Sequence, residues 1–367
     1  MNLDKIKTTD IGEADQILKK YGVAILEDYF DDEYADKFFE SVKQWLIGLN
    51  IGLTNDISTW RNANMPLGPR YGMFQSIISN APQFWKLREE FHALYKSLLG
   101  EAELITSIDG ASIFPTKFSP KKQEDWAHID QTESSDFRTY QSQFVASDTT
   151  ASFVCTPKSH LAHATILKKF AIPASDTNWH KFTNNEVTKL TKMFGDTYQI
   201  PIYAKKGSVI FWDSRTIHSA KYPDSTENKW RAVFYISMQP IKTLTAKNIE
   251  TIKTAIIKGK TTNHLGSRIF TPFDRFKNKN DNVTTLLNNS WKLSHYYNLN
   301  QNQKRLAGFM DYNIKSSLNN TQYDIIILAE MLCLPVAEKR MIMKHISNGN
   351  KCELIKILIA LYQKKGN

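Results

Sequence analysis

The tightest constraint on this 367-residue chain is a pair of stretches whose side chains have reason to meet. They are Trp126-Ala127-His128-Ile129-Asp130-Gln131 and Phe211-Trp212-Asp213-Ser214-Arg215-Thr216-Ile217-His218. On a strand, residues two apart share a face, so His128 and Asp130 project an imidazole and a carboxylate to one side. His218 closes a second apolar run and supplies another imidazole. Two imidazoles and one carboxylate on one face of a metal leave the opposite face open, the ligand set of non-haem Fe(II) oxygenases. A lone His-x-Asp is a weak signal. The fold that satisfies all three residues must bring two distant strands side by side.

Arg231, in Trp230-Arg231-Ala232-Val233-Phe234-Tyr235-Ile236, strengthens the reading. A dicarboxylic cosubstrate that chelates the metal at one end needs a fixed cation at the other, and a guanidinium fork suits a carboxylate bidentately. His-x-Asp, a distant His and then Arg is the order of 2-oxoglutarate-dependent oxygenases. Lys229, two residues earlier, is a competing anchor. A nucleic-acid-repair oxygenase expects a second Arg where Ser237 stands, and the His-Glu-x-x-His of zinc hydrolases is missing.

Gly207-Ser208-Val209-Ile210-Phe211-Trp212-Asp213-Ser214-Arg215-Thr216-Ile217-His218 resembles the distal-histidine strand of the phytanoyl-CoA dioxygenase-like family. Thr156-Pro157-Lys158-Ser159-His160 resembles that family's Pro-Gly-Ser-His turn, with Lys158 in the glycine position. Tyr21 to Phe30 resembles its amino-terminal signature. The resemblance runs from about residue 20 to about residue 275. It implies an α+β protein with a double-stranded β-helix (jelly-roll, cupin-like) core, flanking helices and a helical carboxy-terminal extension. It also implies Fe(II) on His128, Asp130 and His218, 2-oxoglutarate on Arg231 with Gln141 or Gln143 as a further contact, and O2 as oxidant. The carboxylate of Asp130 favours hydroxylation, because halogenating relatives replace it with a small residue. The expected reaction hydroxylates a C–H bond of a small-molecule or protein substrate while 2-oxoglutarate becomes succinate.

Turn residues and periodicity organise the rest. Helices are expected over residues 12–20, after Asp31-Asp32-Glu33, and over 83–99. Residues 51–80, rich in Gly and Pro and carrying Trp60, Arg61 and Arg70, read as simple packing or as a loop covering the site. Strands follow at 23–30, at 104–114 with a break at Asp109-Gly110, at 140–147, 200–204, 208–212 and 231–238. Lys205-Lys206-Gly207 reads as a hairpin turn. Tyr140, Ser142 and Phe144 share one face of their strand, Gln141 and Gln143 the other. Trp179 and His180 are expected in a surface loop, His160 in a structural turn, and neither His160, His163 nor His264 as a ligand. The segments are 1–100, a helical and covering part of the catalytic domain; 101–245, the core; 246–318, a basic helical extension; and 319–367, a small helical segment whose 347–358 faintly resembles half of a DNA-binding helix pair.

Composition matters at two points. The three cysteines, Cys155, Cys333 and Cys352, have no repeated spacing, which excludes a disulfide framework and fits a reducing, cytoplasmic setting. No apolar run is long enough for a signal peptide or membrane span. The formal charge of +10 is uneven: residues 241–318 hold 13 basic side chains against 4 acidic ones. That excess suits a polyanion contact. It sustains a rival expectation, an inactive oxygenase fold acting as a nucleic-acid-binding or scaffolding module.

Overall fold

The computed structural model describes residues 2–310, apart from 62–63, 66–71, 121–125, 134–136, 225, 271–280 and 296–297. Arg70, Cys333, Cys352 and the helices expected beyond residue 318 lie outside the described residues.

Asp10 and Asp31 cap α1 (Ile11–Tyr21) and α2 (Asp32–Gly48), each carboxylate accepting a first-turn N–H, while Pro82 opens α3 (Pro82–Leu99). Fixed φ suits proline to a helix start, and a side-chain acceptor satisfies otherwise orphaned amides. The strands are β1 (Lys7–Thr8), β2 (Val23–Leu26), β3 (Met73–Phe74), β4 (Leu104–Thr106), β5 (Ala111–Pro115), β6 (His128–Ile129) and β7 (Tyr140–Val145). They continue with β8 (Ser152–Cys155), β9 (His180–Lys181), β10 (Ile200–Ile202), β11 (Val209–Asp213), β12 (His218–Lys221) and β13 (Trp230–Pro240). They form a large sheet in the order β1-β2-β11-β7-β13-β5-β3, with β4 also on β13, and a small sheet in the order β10-β8-β12-β6-β9. All pairings are antiparallel except β1 with β2.

The large sheet is apolar on both faces, which explains why β2 and β11 lack alternation. Ala24, Leu26, Val209 and Phe211 face α1–α3, where Phe38 and Phe234 pack edge to face at 4.8 Å. Val23, Ile25, Ile210 and Trp212 face the small sheet and meet Phe153, Cys155 and Ile202. The outer face of the small sheet, through Ala127, Ile129 and Ile217, packs on α4 (His163–Phe170) and α5 (Asn184–Phe194). Tyr95 of α3 donates its hydroxyl to the Ile236 carbonyl at 2.8 Å, pinning the helix layer to the middle of the sheet.

Lys205–Gly207 is not a hairpin. β10 and β11 belong to different sheets, so this turn carries the chain from one to the other. Gly207 sits at φ +86°, and a Cβ there would lie 2.1 Å from the Phe30 carbonyl oxygen. The break at Asp109-Gly110 has a similar cause, since a Cβ on Gly110 would meet the Phe74 carbonyl at 1.9 Å. Trp60 is buried edge-on against Trp230, so this part of the 51–80 segment is core. Downstream, α6 (Ala246–Ile257), α7 (Asp281–Asn288) and α8 (Gln301–Leu306) follow β13. Ile252, Ile256, Leu299 and Phe309 bury Trp85, Ile105 and Ile108, joining this segment to α3 and the large sheet. Among the described residues no helix is long and apolar enough to cross a membrane.

Candidate metal centre and anion site

His128 and His218 are direct cross-strand partners on β6 and β12, with ring centroids 4.2 Å apart. Asp130 lies just past β6, where its N–H donates to the Ser214 carbonyl. One atom from each of these three residues lies within 4.8 Å of the other two. Asp130 Oδ2 is 3.2 Å from His218 Nε2 and 3.9 Å from His128 Nε2.

The backbone decides which imidazole nitrogen is available. His128 Nδ1 lies 3.1 Å from the Trp126 carbonyl and His218 Nδ1 2.9 Å from the Thr216 carbonyl. A carbonyl only accepts, so both Nδ1 atoms carry hydrogen and both neutral rings turn an Nε2 lone pair toward Asp130. Three acceptor atoms converging this closely repel one another unless a cation or a proton lies among them. Burial alone would raise the Asp130 carboxyl. Where protons rather than a cation lie among these atoms, the hydrogen bond from protonated His218 and the charge of protonated His128, His264 and His218 outweigh it and hold the group below the usual carboxylate range. Gln141 Nε2 donates to Asp130 Oδ2 at 2.9 Å, fixing the carboxylate from the opposite sheet. Cys155 shares the row of His218, but burial pushes its thiol up, away from the thiolate a metal requires.

The three residues open onto a cavity of about 530 Å³ between the sheets. Arg231 of β13 lines it at 3% exposure. Its Nε donates to Ser112 Oγ at 3.3 Å and its Nη1 to the Ala151 carbonyl at 2.9 Å. Among the described residues no carboxylate pairs with it. A buried guanidinium held by neutral acceptors retains its charge for an incoming anion. Tyr235 also lines the cavity; burial pushes its phenol up, and the neighbouring Arg231 charge acts against that. Lys229, the competing anchor, is exposed and outside the lining. Gln143 also lines the cavity, so both glutamines face inward, and Gln141 turns to the carboxylate of Asp130.

His160 and His163 are structural. Their Nε2 atoms meet the Lys19 and Gln131 carbonyls at 3.1 and 2.7 Å, and burial lowers both from the ordinary imidazole value. Lys158 sits at φ +67°, which accounts for the glycine of the family turn it resembles. Trp179 lies in an exposed loop as expected, but His180 does not. His180 and Lys181 form β9, which pairs with β6, and Trp179 lines the cavity.

Further lining residues had no signature. His264 is buried near Asp130, burial lowers it from the ordinary imidazole value, and its Nε2 has no partner among the described residues. Asp109 accepts from Ser107 at 2.7 Å. Burial pushes its carboxyl up to about 7, against the hydrogen bond from Ser107 and the charge of Arg88. Met73 and Gln75 bring the end of the 51–80 segment to the same wall.

No family model matches the chain, and no curated protein matches it in sequence. Solved structures do. GlcNAc Inducible Gene 2, GIG2 (DUF1479), from Candida albicans is similar at a TM-score of 0.54 and 14% identity, over 95% of this chain and 87% of that one. The hypothetical protein JW0805 from Escherichia coli, at high pH, has a TM-score of 0.49 and 15% identity over 83% and 84% of the two chains. The epimerase SnoN, in complex with Fe3+, alpha ketoglutarate and nogalamycin RO, has a TM-score of 0.35 and 13% identity over 63% and 83%. At these identities the likeness to GIG2 concerns the fold alone.

Proposed function

We propose that the chain is an Fe(II)- and 2-oxoglutarate-dependent dioxygenase that hydroxylates a C–H bond, built on a double-stranded β-helix of the phytanoyl-CoA dioxygenase-like kind. The observation that carries this reading is the pairing of two groups in one cavity. Three converging acceptor atoms from His128, Asp130 and His218 stand with a buried, carboxylate-free guanidinium from Arg231. The donor set, two neutral imidazoles and one carboxylate, fits Fe(II) with open positions.

His128, Asp130 and His218 would hold the iron, and Arg231 would hold the distal carboxylate of 2-oxoglutarate. Bound iron supplies the oxidation itself: substrate, O2 and 2-oxoglutarate become hydroxylated substrate, succinate and CO2. The protein's share is positioning. Gln141 fixes Asp130, and the Trp126 and Thr216 carbonyls fix the imidazole tautomers. Ser112 and the Ala151 carbonyl orient Arg231. Trp126 stacks on His128 at 4.6 Å and limits the ring's freedom.

Anaerobic addition of Fe(II) and then 2-oxoglutarate should give the weak visible charge-transfer band of a chelated keto acid. Admitting O2 should release succinate and CO2. A chain that takes up stoichiometric Fe(II) yet shows neither the band nor succinate is a metal-binding barrel, and the dioxygenase reading falls.

A further inference from the structure

We infer that the mouth of this cavity binds a small organic anion carrying a flat ring, with Lys181 and Arg268 on the charge and Trp179 against the ring. As the identity of the substrate class this rests on the dioxygenase reading above; as a binding site it stands on its own residues.

The register points Lys181 inward. Cys155, His218, His128 and Lys181 form one row across β8, β12, β6 and β9, each paired with the next. Directly opposed residues on antiparallel strands project to the same face. Lys181 therefore leaves the sheet on the side of the metal ligands, one strand beyond His128, and lines the cavity. Arg268 reaches the same cavity from the 261–270 loop. That loop is preset: Thr262 bridges to Ile269, Asn263 N–H donates to the Arg268 carbonyl, and Asn263 Oδ1 accepts from the Ser267 and Arg268 amides. Among the described residues neither cation pairs with a carboxylate. Two unpaired cations lining one concave mouth attract an anion to it.

The ring contact comes from Trp179. It is 48% exposed, and its ring lies 6.0 Å from that of His128. The turn before it is fixed, with Asn178 at φ +52° and its Oδ1 accepting from the Thr132 amide. A large indole held half in water beside the reacting centre gains by covering its exposed plane.

This anion site differs from that of Arg231. Arg231 is hydrogen-bonded beside β8, Lys181 stands on β9, and β12 and β6, the histidine strands, lie between them in the small sheet. One anion on each side of the three ligands leaves both sites free to fill together.

The test uses the full chain with Fe(II) and 2-oxoglutarate under anaerobic conditions, titrated calorimetrically with phenyl phosphate, benzoate, phenol and inorganic phosphate. At least one ring-bearing anion should bind about tenfold or more tighter than either phenol or phosphate, the scale of one charge-assisted contact added to a stacked ring. Lys181→Gln with Arg268→Gln should remove that advantage, Lys181→Arg with Arg268→Lys should restore most of it, and Trp179→Ala should weaken both anions. All three changes are at exposed positions, and circular dichroism verifies the fold. Equal binding of the four probes, or an unchanged advantage in the Gln pair, overturns the inference. The 2-oxoglutarate affinity of the same samples separates the two readings. If 2-oxoglutarate fails to bind while the anion preference still depends on Lys181 and Arg268, the dioxygenase reading fails and the anion site stands. If 2-oxoglutarate binds and the preference is missing, only this inference fails.

Discussion

The two ends of the cavity are built in opposite ways. At the inner end the charged groups are tied in place: Arg231 to Ser112 and the Ala151 carbonyl, and Asp130 to Gln141. Arg231, Ser112 and Gln141 stand on strands of the large sheet, which is buried on both faces, and Asp130 follows the short β6. At the mouth, Trp179, Lys181 and Arg268 come from a two-residue strand, the turn before it and a loop, and their heads reach solvent. Side chains held on every side suit a task that is the same in every turnover. Side chains held only by their backbone suit the recognition of one partner among many, and they can change without disturbing the fold. Inner-end substitutions should therefore damage metal or cosubstrate binding, and mouth substitutions should leave both intact.

The largest effect is expected from His128→Ala combined with His218→Ala, which should abolish stoichiometric Fe(II) binding by elemental analysis while circular dichroism stays native. Retained iron in the double variant would remove these residues from the metal site. Arg231→Ala should come next. It should keep iron but weaken 2-oxoglutarate by about 1.5–3 kcal/mol, or about 10- to 150-fold. Pyruvate, which has no distal carboxylate, should lose little further, and Arg231→Lys should recover only part. Equal losses for both keto acids would reject Arg231 as the anchor and return attention to Lys229. Gln141→Ala removes the hydrogen bond that orients Asp130 and should cost about 10- to 100-fold in metal affinity, the usual effect of a ligand's supporting partner. If metal affinity is untouched, the inner end is less tightly coupled than its hydrogen bonds suggest.

The smallest effect concerns stability. The Asp109 carboxyl is raised from 3.8 to about 7 by burial, so over this range the folded chain holds a proton that the unfolded chain releases. This contribution is complete below the ordinary carboxyl range and is lost as pH climbs toward the folded value. Urea midpoints should fall between about pH 4 and about pH 7, and Asp109→Asn should flatten that fall. An unchanged slope in the variant would place the proton elsewhere.

The inner end was legible in the sequence because its chemistry is local. His128 and Asp130 are two apart on a strand edge, and the apolar runs before His218 and after Arg231 mark buried strands. The alternation from Tyr140 to Val145 puts Gln141 and Gln143 on one face of the strand, and both line the cavity. The mouth was not legible. β9 has only two residues and no periodicity to detect, so nothing local couples Lys181 to His128; their pairing is a fact of sheet register alone. His264 lies in a loop whose route over the site depends on α6 packing against Trp85 and Ile105, a long-range contact with no motif. The turn at Lys205–Gly207 looked like a hairpin because turn residues report a reversal and not which sheet receives the next strand.

The position of β13 has a consequence for how the chain comes into being. This strand lies between β7 and β5 and also carries β4, so it closes the centre of the large sheet, yet it is the last strand in the described chain. As the polypeptide leaves the ribosome, the apolar faces of β5 and β7 emerge well before the partner that lies between them. Synthesis at ~5–20 residues per second leaves those edges open for several seconds or more. Until residue 240 has cleared the exit tunnel, β5 and β7 offer unpaired edges to other chains, and a product ending before Trp230 should aggregate rather than fold into a smaller version of the protein.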